Sequence, residues 1–236
     1  MRRAGLLSFA IAAIIVVHTG CSNTEGTRQP TSEQPGARPG AVGGGGAGAD
    51  VKSDGDFVRD IAIKHMAEIE VSRVALQKSS NPDIKSFAQR MIDDRTLAAD
   101  ALKTVVSGQA MDWPTQLDEK HRETADDLTK KQGEEFDRDF LKAIVDLHQN
   151  LTAKLESRLD VQSLADWKTA AAARTRTRAL PEPTVAMRDA EVRPDKSGNQ
   201  ITMQINQWAA DTYAVAQMHL DTARRLENPT QKPSSN

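Results

Sequence analysis

Six ionisable side chains lie on or beside helical stripes that otherwise read apolar: His65, Glu68, Asp94, Arg95, His148 and His219. At heptad spacing Ala88, Arg95 and Leu102 share one line, Leu141, His148 and Leu155 a second, and Ile205, Thr212, His219 and Leu226 a third. His65 falls between Val58 and Ile69, one turn from Glu68. Carboxylates and imidazoles gathered inside a helical bundle can hold iron or manganese or relay protons, which makes Glu68, Asp94 and His148 candidate metal ligands, with His65 and His219 beside them. A di-iron carboxylate centre, however, takes a Glu from each of two helices and a Glu-x-x-His from each of the other two, because positions i and i+3 face inward together. None of the long predicted helices carries that motif. The acid-x-x-His spacing occurs once, from Asp118 to His121, in a connecting segment expected to face solvent. Arg95 adds a permanent positive charge that would repel a metal cation. The preferred reading is therefore a buried ion-pair layer that sets helix register, with Arg95 paired to Glu68 or Asp94 and His148 bonded to a carboxylate. That reading predicts no cofactor; bound iron or manganese is the alternative.

Other chemistries find little support. A single cysteine, Cys21, leaves no material for disulfides, thiolate zinc sites or haem attachment. Phosphate loops, serine elbows and zincin motifs do not occur at recognisable spacing. Gly43, Gly45 and Gly48 satisfy a GxGxxG pattern, but no strand precedes them and no helix is expected there to receive a pyrophosphate. An enzyme is thus unsupported, and a non-enzymatic role is the expectation. A net charge of −2 offers no reason to expect nucleic acid as a partner. Arg174, Arg176 and Arg178, beside Trp167 and Lys168, could meet phosphate-bearing envelope lipid or another anionic polymer, though such runs are more often solvated surface.

Helices must position these groups. Aromatics make up only 4% of the chain while Ala, Leu and charged residues abound, which suits aliphatic helix packing and an all-α fold. The first predicted helix runs from a cap near Ser53–Asp56 to about Gln77, striped by Val58, Ala62, Ile69 and Leu76. Asn81-Pro82-Asp83 supplies a cap, a proline in the first turn and an acid, starting a second helix over about 82–107. A connection with a short helical piece, about 116–131, leads to a third long helix over about 134–159, striped by Phe140, Ile144, Leu151 and Leu155. A proline-bearing region follows, with a short helix near 163–177, and the last helix takes about 201–227, stopped by Asn228-Pro229. Counted from the turn at 78–81, Glu68 and Arg95 stand at about the same height on antiparallel helices. His148, near mid-helix, falls at that height whichever way its helix runs. His219 is expected to join only in an up-down-up-down bundle, and to lie about two turns off if the 108–133 connection crosses the bundle.

Residues 1–20 read as a secretory signal: Met-Arg-Arg, an apolar run from Ala4 to Val17, then His18-Thr19-Gly20 before Cys21. The run is shorter than the roughly 20 apolar residues a permanent span needs. Thr-Gly-Cys is similar to a lipobox, with His18 where Leu is usual, so Cys21 is expected to be acylated and to become the first mature residue, anchoring the protein in a membrane. An ordinary signal peptide with an incidental cysteine is the plainer alternative. Residues 21–53 are Gly, Pro, Ser, Thr and Gln without apolar periodicity, a tether whose root-mean-square reach is roughly 30 Å. Residues 54–228 are the expected bundle, with an insertion at about 161–200, and 229–236 a disordered tail. The expected location is the periplasmic face of a bacterial membrane, the outer one favoured because Ser22, not Asp, follows the cysteine.

Several stretches carry a family resemblance: Asp56-Phe57-Val58, Met66-Ala67-Glu68-Ile69-Glu70, Phe87-Ala88-Gln89-Arg90-Met91-Ile92-Asp93-Asp94 and Phe136-Asp137-Arg138-Asp139-Phe140. They are similar to the Domain of Unknown Function 4142 family, exported bacterial proteins placed among ferritin-like bundles. The resemblance covers about 56–160 and, less fully, 204–227. It implies a ferritin-like four-helix bundle outside the cytoplasm, and no agreed activity. The family commonly pairs Asp with His after the helix-two Met and again in helix three; here Asp94 is followed by Arg95, and His148 is preceded by Leu147. Half of each pair is replaced. The function expected is a membrane-tethered envelope module that binds a protein or polymer or serves a stress-related role, with iron storage or oxidation as the alternative.

Overall fold

The computed structural model describes residues 47–176 and 191–228, with side chains from Ser53 to Ala172 and from Glu191 to Asn228. The expected signal sequence, Cys21, most of the expected tether, Arg178 and the expected tail lie outside the described residues. Among the described residues six helices occur in chain order: α1 (Ala47–Lys78), α2 (Pro82–Val105), α3 (Glu119–Thr129), α4 (Gly133–Glu156), α5 (Val161–Arg176) and α6 (Gln200–Glu227). Among the described residues the protein is all-α, with no strand and one isolated bridge, Leu159 with Pro194. α1 begins at Ala47, inside the stretch expected to be tether. No proline interrupts 47–53, and adding residues to an existing helix costs far less than nucleating one.

The helix ends follow local chemistry. Asn81 accepts from the Asp83 N–H at 2.9 Å and Pro82 takes the first position, where no N–H is needed, so α2 starts as its sequence indicates. Asn199 caps α6 in the same way, accepting from the Ile201 N–H at 2.9 Å. Asp118 caps α3 by accepting from the His121 N–H at 2.9 Å. Gly108, at φ 82, takes the left-handed conformation that turns the chain out of α2.

Two apolar clusters show which helix ends meet. One joins Val71 and Val74 late in α1, Phe87 and Met91 early in α2, Phe136 and Phe140 early in α4, and Leu220 late in α6. The other joins Phe57 and Ile61 early in α1, Leu102 late in α2, Leu151 and Leu155 late in α4, and Ile205 and Trp208 early in α6. Hence α2 and α4 run the same way, opposite to α1 and α6. The chain from α2 to α4 must return the length of the molecule, and it does so with α3 lying against α1. Both apolar clusters use the α1 stripe 54, 58, 61, 65, 68, 72, 75, every member of which is buried. Ile69 and Leu76, expected on the core face, sit at its edge, only partly covered, because the true stripe is centred on Ile61 and His65.

Candidate functional site

Between the two apolar clusters the four long helices contribute a polar layer. α1 supplies His65 and Glu68, α2 Arg95, α4 His148 and α6 His219, each no more than 1% exposed. Arg95 is at its centre. Its Nε lies 2.6 Å from Glu68 Oε2, and one terminal nitrogen lies 3.0 Å from His148 Nε2 and 3.1 Å from His219 Nδ1. A guanidinium only donates, so both imidazole nitrogens facing it must be unprotonated acceptors. The ring protons are thereby placed. His148 carries its proton on Nδ1, which faces the Ile144 carbonyl at 3.1 Å and Glu68 Oε1 at 3.3 Å. His219 carries its proton on Nε2, 2.8 Å from Asp94 Oδ2 at the layer's rim, where the Asp94 side chain keeps 32% of its surface. His148 and His219 also meet edge to face, 5.8 Å between centroids, and His65 tilts against the Trp208 ring at 5.9 Å.

Burial governs the protonation of the layer. It holds His65 and His148 well below the ordinary imidazole value, with the Arg95 charge adding to the effect, and lowers His219 to about 3. Burial also pushes the Glu68 carboxyl up to about 7 against the pull of Arg95, and raises Asp94 in the same sense. Neutral imidazoles are what the Arg95 hydrogen bonds require. Around neutral pH the layer is thus one guanidinium, one carboxyl near its titration point and three uncharged rings.

The residues do not fit a metal with Arg95 in place. The lone pairs a cation would use, on His148 Nε2 and His219 Nδ1, are already accepting from the guanidinium. Among the described residues no group of three or more His, Cys, Asp and Glu is placed to hold a metal ion. What the arrangement does chemically is cross-link four helices through one side chain.

The model for the family described as "Domain of unknown function (DUF4142)" matches residues 42–180. The chain belongs to this family. No curated protein and no solved structure is significantly similar to it. The family match ends before α6, so His219 is contributed by a helix outside the matched span, whereas α5, expected to be part of an insertion, falls inside it.

His219 corrects an expectation. The α2–α4 connection does run the length of the molecule, the case in which His219 was to fall two turns away, yet it meets Arg95 directly. The imidazole lies in the layer by packing and not by arginine reach alone, since its ring also meets His148 at 5.8 Å and lies 2.8 Å from the short Asp94 side chain. His121 corrects another. Its side chain is 11% exposed and its Nδ1 lies 2.6 Å from Asp118 Oδ1, so the imidazole is folded against the helix start, while the Asp118 carboxylate, 45% exposed, faces solvent as expected. The basic run near α5 is also dismantled in part. Trp167 is 6% exposed and meets the Tyr213 ring edge to face at 5.2 Å, and Lys168 pairs with Glu156 at 2.8 Å. The side chains of Arg174 and Arg176, like all of Arg178, lie outside the described residues.

One polar cluster escaped the sequence reading. Asp54, fully buried near the start of α1, accepts from the Thr202 hydroxyl at 2.6 Å and is ion-paired with Arg158, whose guanidinium covers the Phe57 ring at 4.4 Å. Two main-chain bonds staple residues 193–195 to the end of α4 beside it, Asp160 N–H to the Arg193 carbonyl and Asp195 N–H to the Arg158 carbonyl, both at 2.9 Å. The available signal was the heptad line itself, since Asp54 extends the stripe of Val58, Ile61 and His65 by one step. Asp54→Ala should destabilise the protein by about 2–3 kcal/mol, below the full cost of breaking a buried pair because Arg158 can reach water. Urea unfolding measures it, and a change within about 0.5 kcal/mol would remove the cluster from the list of stabilising contacts.

Proposed function

We propose that this protein is a lipid-anchored, extracytoplasmic helical module that binds a protein or anionic polymer of the envelope or serves a stress-related structural role, with no catalytic centre in its interior. The observation that carries the non-catalytic part is Arg95, whose donors occupy both imidazole acceptors and whose charge faces Glu68. Buried polar layers of this kind fix register and orientation between helices. The anchor rests on the apolar run ending at Thr19-Gly20-Cys21 and on the proline- and glycine-rich stretch behind it. The shared direction of α2 and α4, with a crossover between them, supports a ferritin-like arrangement of the four long helices. Under that arrangement iron or manganese binding is the second reading.

Two measurements test it. Cys21→Ser should move the protein from the membrane to the soluble fraction with its thermal midpoint unchanged, because the anchor precedes every core residue; protein that stays with membranes through a salt wash sinks the lipid-anchor reading. Protein purified without its leader should carry no stoichiometric metal. Iron or manganese bound one-to-one, and lost in His148→Ala, would replace this reading with the metal-binding one.

A further inference from the structure

The geometry points to the centre of the layer being a seat built for a guanidinium ion, closed in the native chain by its own Arg95 and open to free guanidinium once that side chain is cut back. The inference rests on the metal-free reading of the interior and deepens it by naming the cation the interior recognises.

Three acceptors converge here, spread over two nitrogens of the fork. Glu68 Oε2 addresses Nε at 2.6 Å, while His148 Nε2 and His219 Nδ1 share one terminal nitrogen at 3.0 and 3.1 Å. A metal ion gathers its ligands on one point at roughly 2.0–2.2 Å, whereas a guanidinium distributes N–H groups around a fork. The imidazole acceptors are also held ready by contacts that do not involve Arg95. The Ile144 carbonyl accepts from His148 Nδ1 at 3.1 Å, and Asp94 Oδ2 lies 2.8 Å from His219 Nε2 and favours the proton there by its charge. Cutting back Arg95 therefore removes the cation and leaves its acceptors oriented. An apolar cluster lies on either side of the layer, and Phe87 meets the His219 ring edge to face at 6.2 Å. A compact, strongly hydrated ammonium cannot replace the fork, which is weakly hydrated and reaches several acceptors at once.

The test is thermal melting of Arg95→Ala with about 10 mM guanidinium chloride, far below denaturing strength, against equal concentrations of sodium, ammonium and manganese chlorides. Guanidinium alone should raise the midpoint of Arg95→Ala, by about 3 °C or more, and should leave wild type and the Glu68→Ala, Arg95→Ala double variant unmoved. Equal responses to ammonium or sodium, or no response to any salt, would overturn the seat. Manganese taken up by Arg95→Ala alone would overturn it too, while leaving the native interior metal-free; manganese taken up by wild type would instead sink the functional reading. If Arg95→Ala does not fold unaided, its refolding yield from urea in the same four salts replaces the melt. Recovery with guanidinium alone supports the seat, and recovery with none of them overturns it.

Discussion

Arg95→Ala lowers the stability of the protein by about 3–5 kcal/mol, the range for stripping one partner from a buried ion pair. For a chain of this size that is a fall of about 6–20 °C in thermal midpoint. Three side chains lose a partner at once, since Glu68 keeps a carboxyl in a fully buried site and two imidazoles keep unmatched acceptors. Glu68→Ala should cost a similar amount by leaving the guanidinium uncompensated. The double change should cost far less than the sum, because each single variant already removes the shared contact. A double-mutant cycle by urea unfolding reads the coupling, expected at about 2 kcal/mol or more. Small additive losses would mean that Arg95 relaxes toward solvent and that the layer does not cross-link the helices.

Acid should unfold the protein steeply. His65, His148 and His219 all have folded-state values below the ordinary 6.5, so their contribution is fully present above that pH and is lost as pH falls through the folded values. Glu68 acts in the opposite sense. Raised from 4.5 to about 7, it favours the folded state most below 4.5 and loses that contribution as pH rises to about 7. Between roughly pH 6 and pH 4.5 the unfolded chain therefore binds about three more imidazole protons and about one fewer carboxyl proton. The balance of about two protons makes stability fall by about 3 kcal/mol per pH unit. Urea midpoints at a series of pH values between about 7.5 and 4.5 measure the slope. His219→Gln, which keeps an acceptor and a donor but does not titrate, should reduce it by about one proton. A slope near zero across that window would show that the imidazoles gain protons in the folded state without resistance.

Membership of the family and the all-helical class were legible along the chain, for a physical reason. Asn81-Pro82-Asp83, the stripe of Phe140, Ile144, Leu151 and Leu155, and the stop at Asn228-Pro229 are local signals, acting within one or two turns. The common height of Glu68 and Arg95 was equally readable, because only a tight turn separates their helices and residue counts on both sides measure it. Other features depend on residues far apart in sequence. Which way α4 runs relative to α2 is decided by how the 106–132 segment packs against α1. Whether His219 touches Arg95 depends on how α6 packs beside α2 and α4, 124 residues on in sequence. Trp167 joins the core in a cluster that includes Leu159 and Tyr213, the latter meeting it edge to face, and Asp54 found Arg158 and Thr202 from different helix ends. The sequence alone therefore determined roughly where the helices lie and that His65, Glu68, Arg95, His148 and His219 face inward, but not the burial of Asp54. The tertiary structure decided what those residues meet, and with it the imidazole tautomers and the place of the guanidinium, because contact across helices depends on packing and reach that no local spacing records.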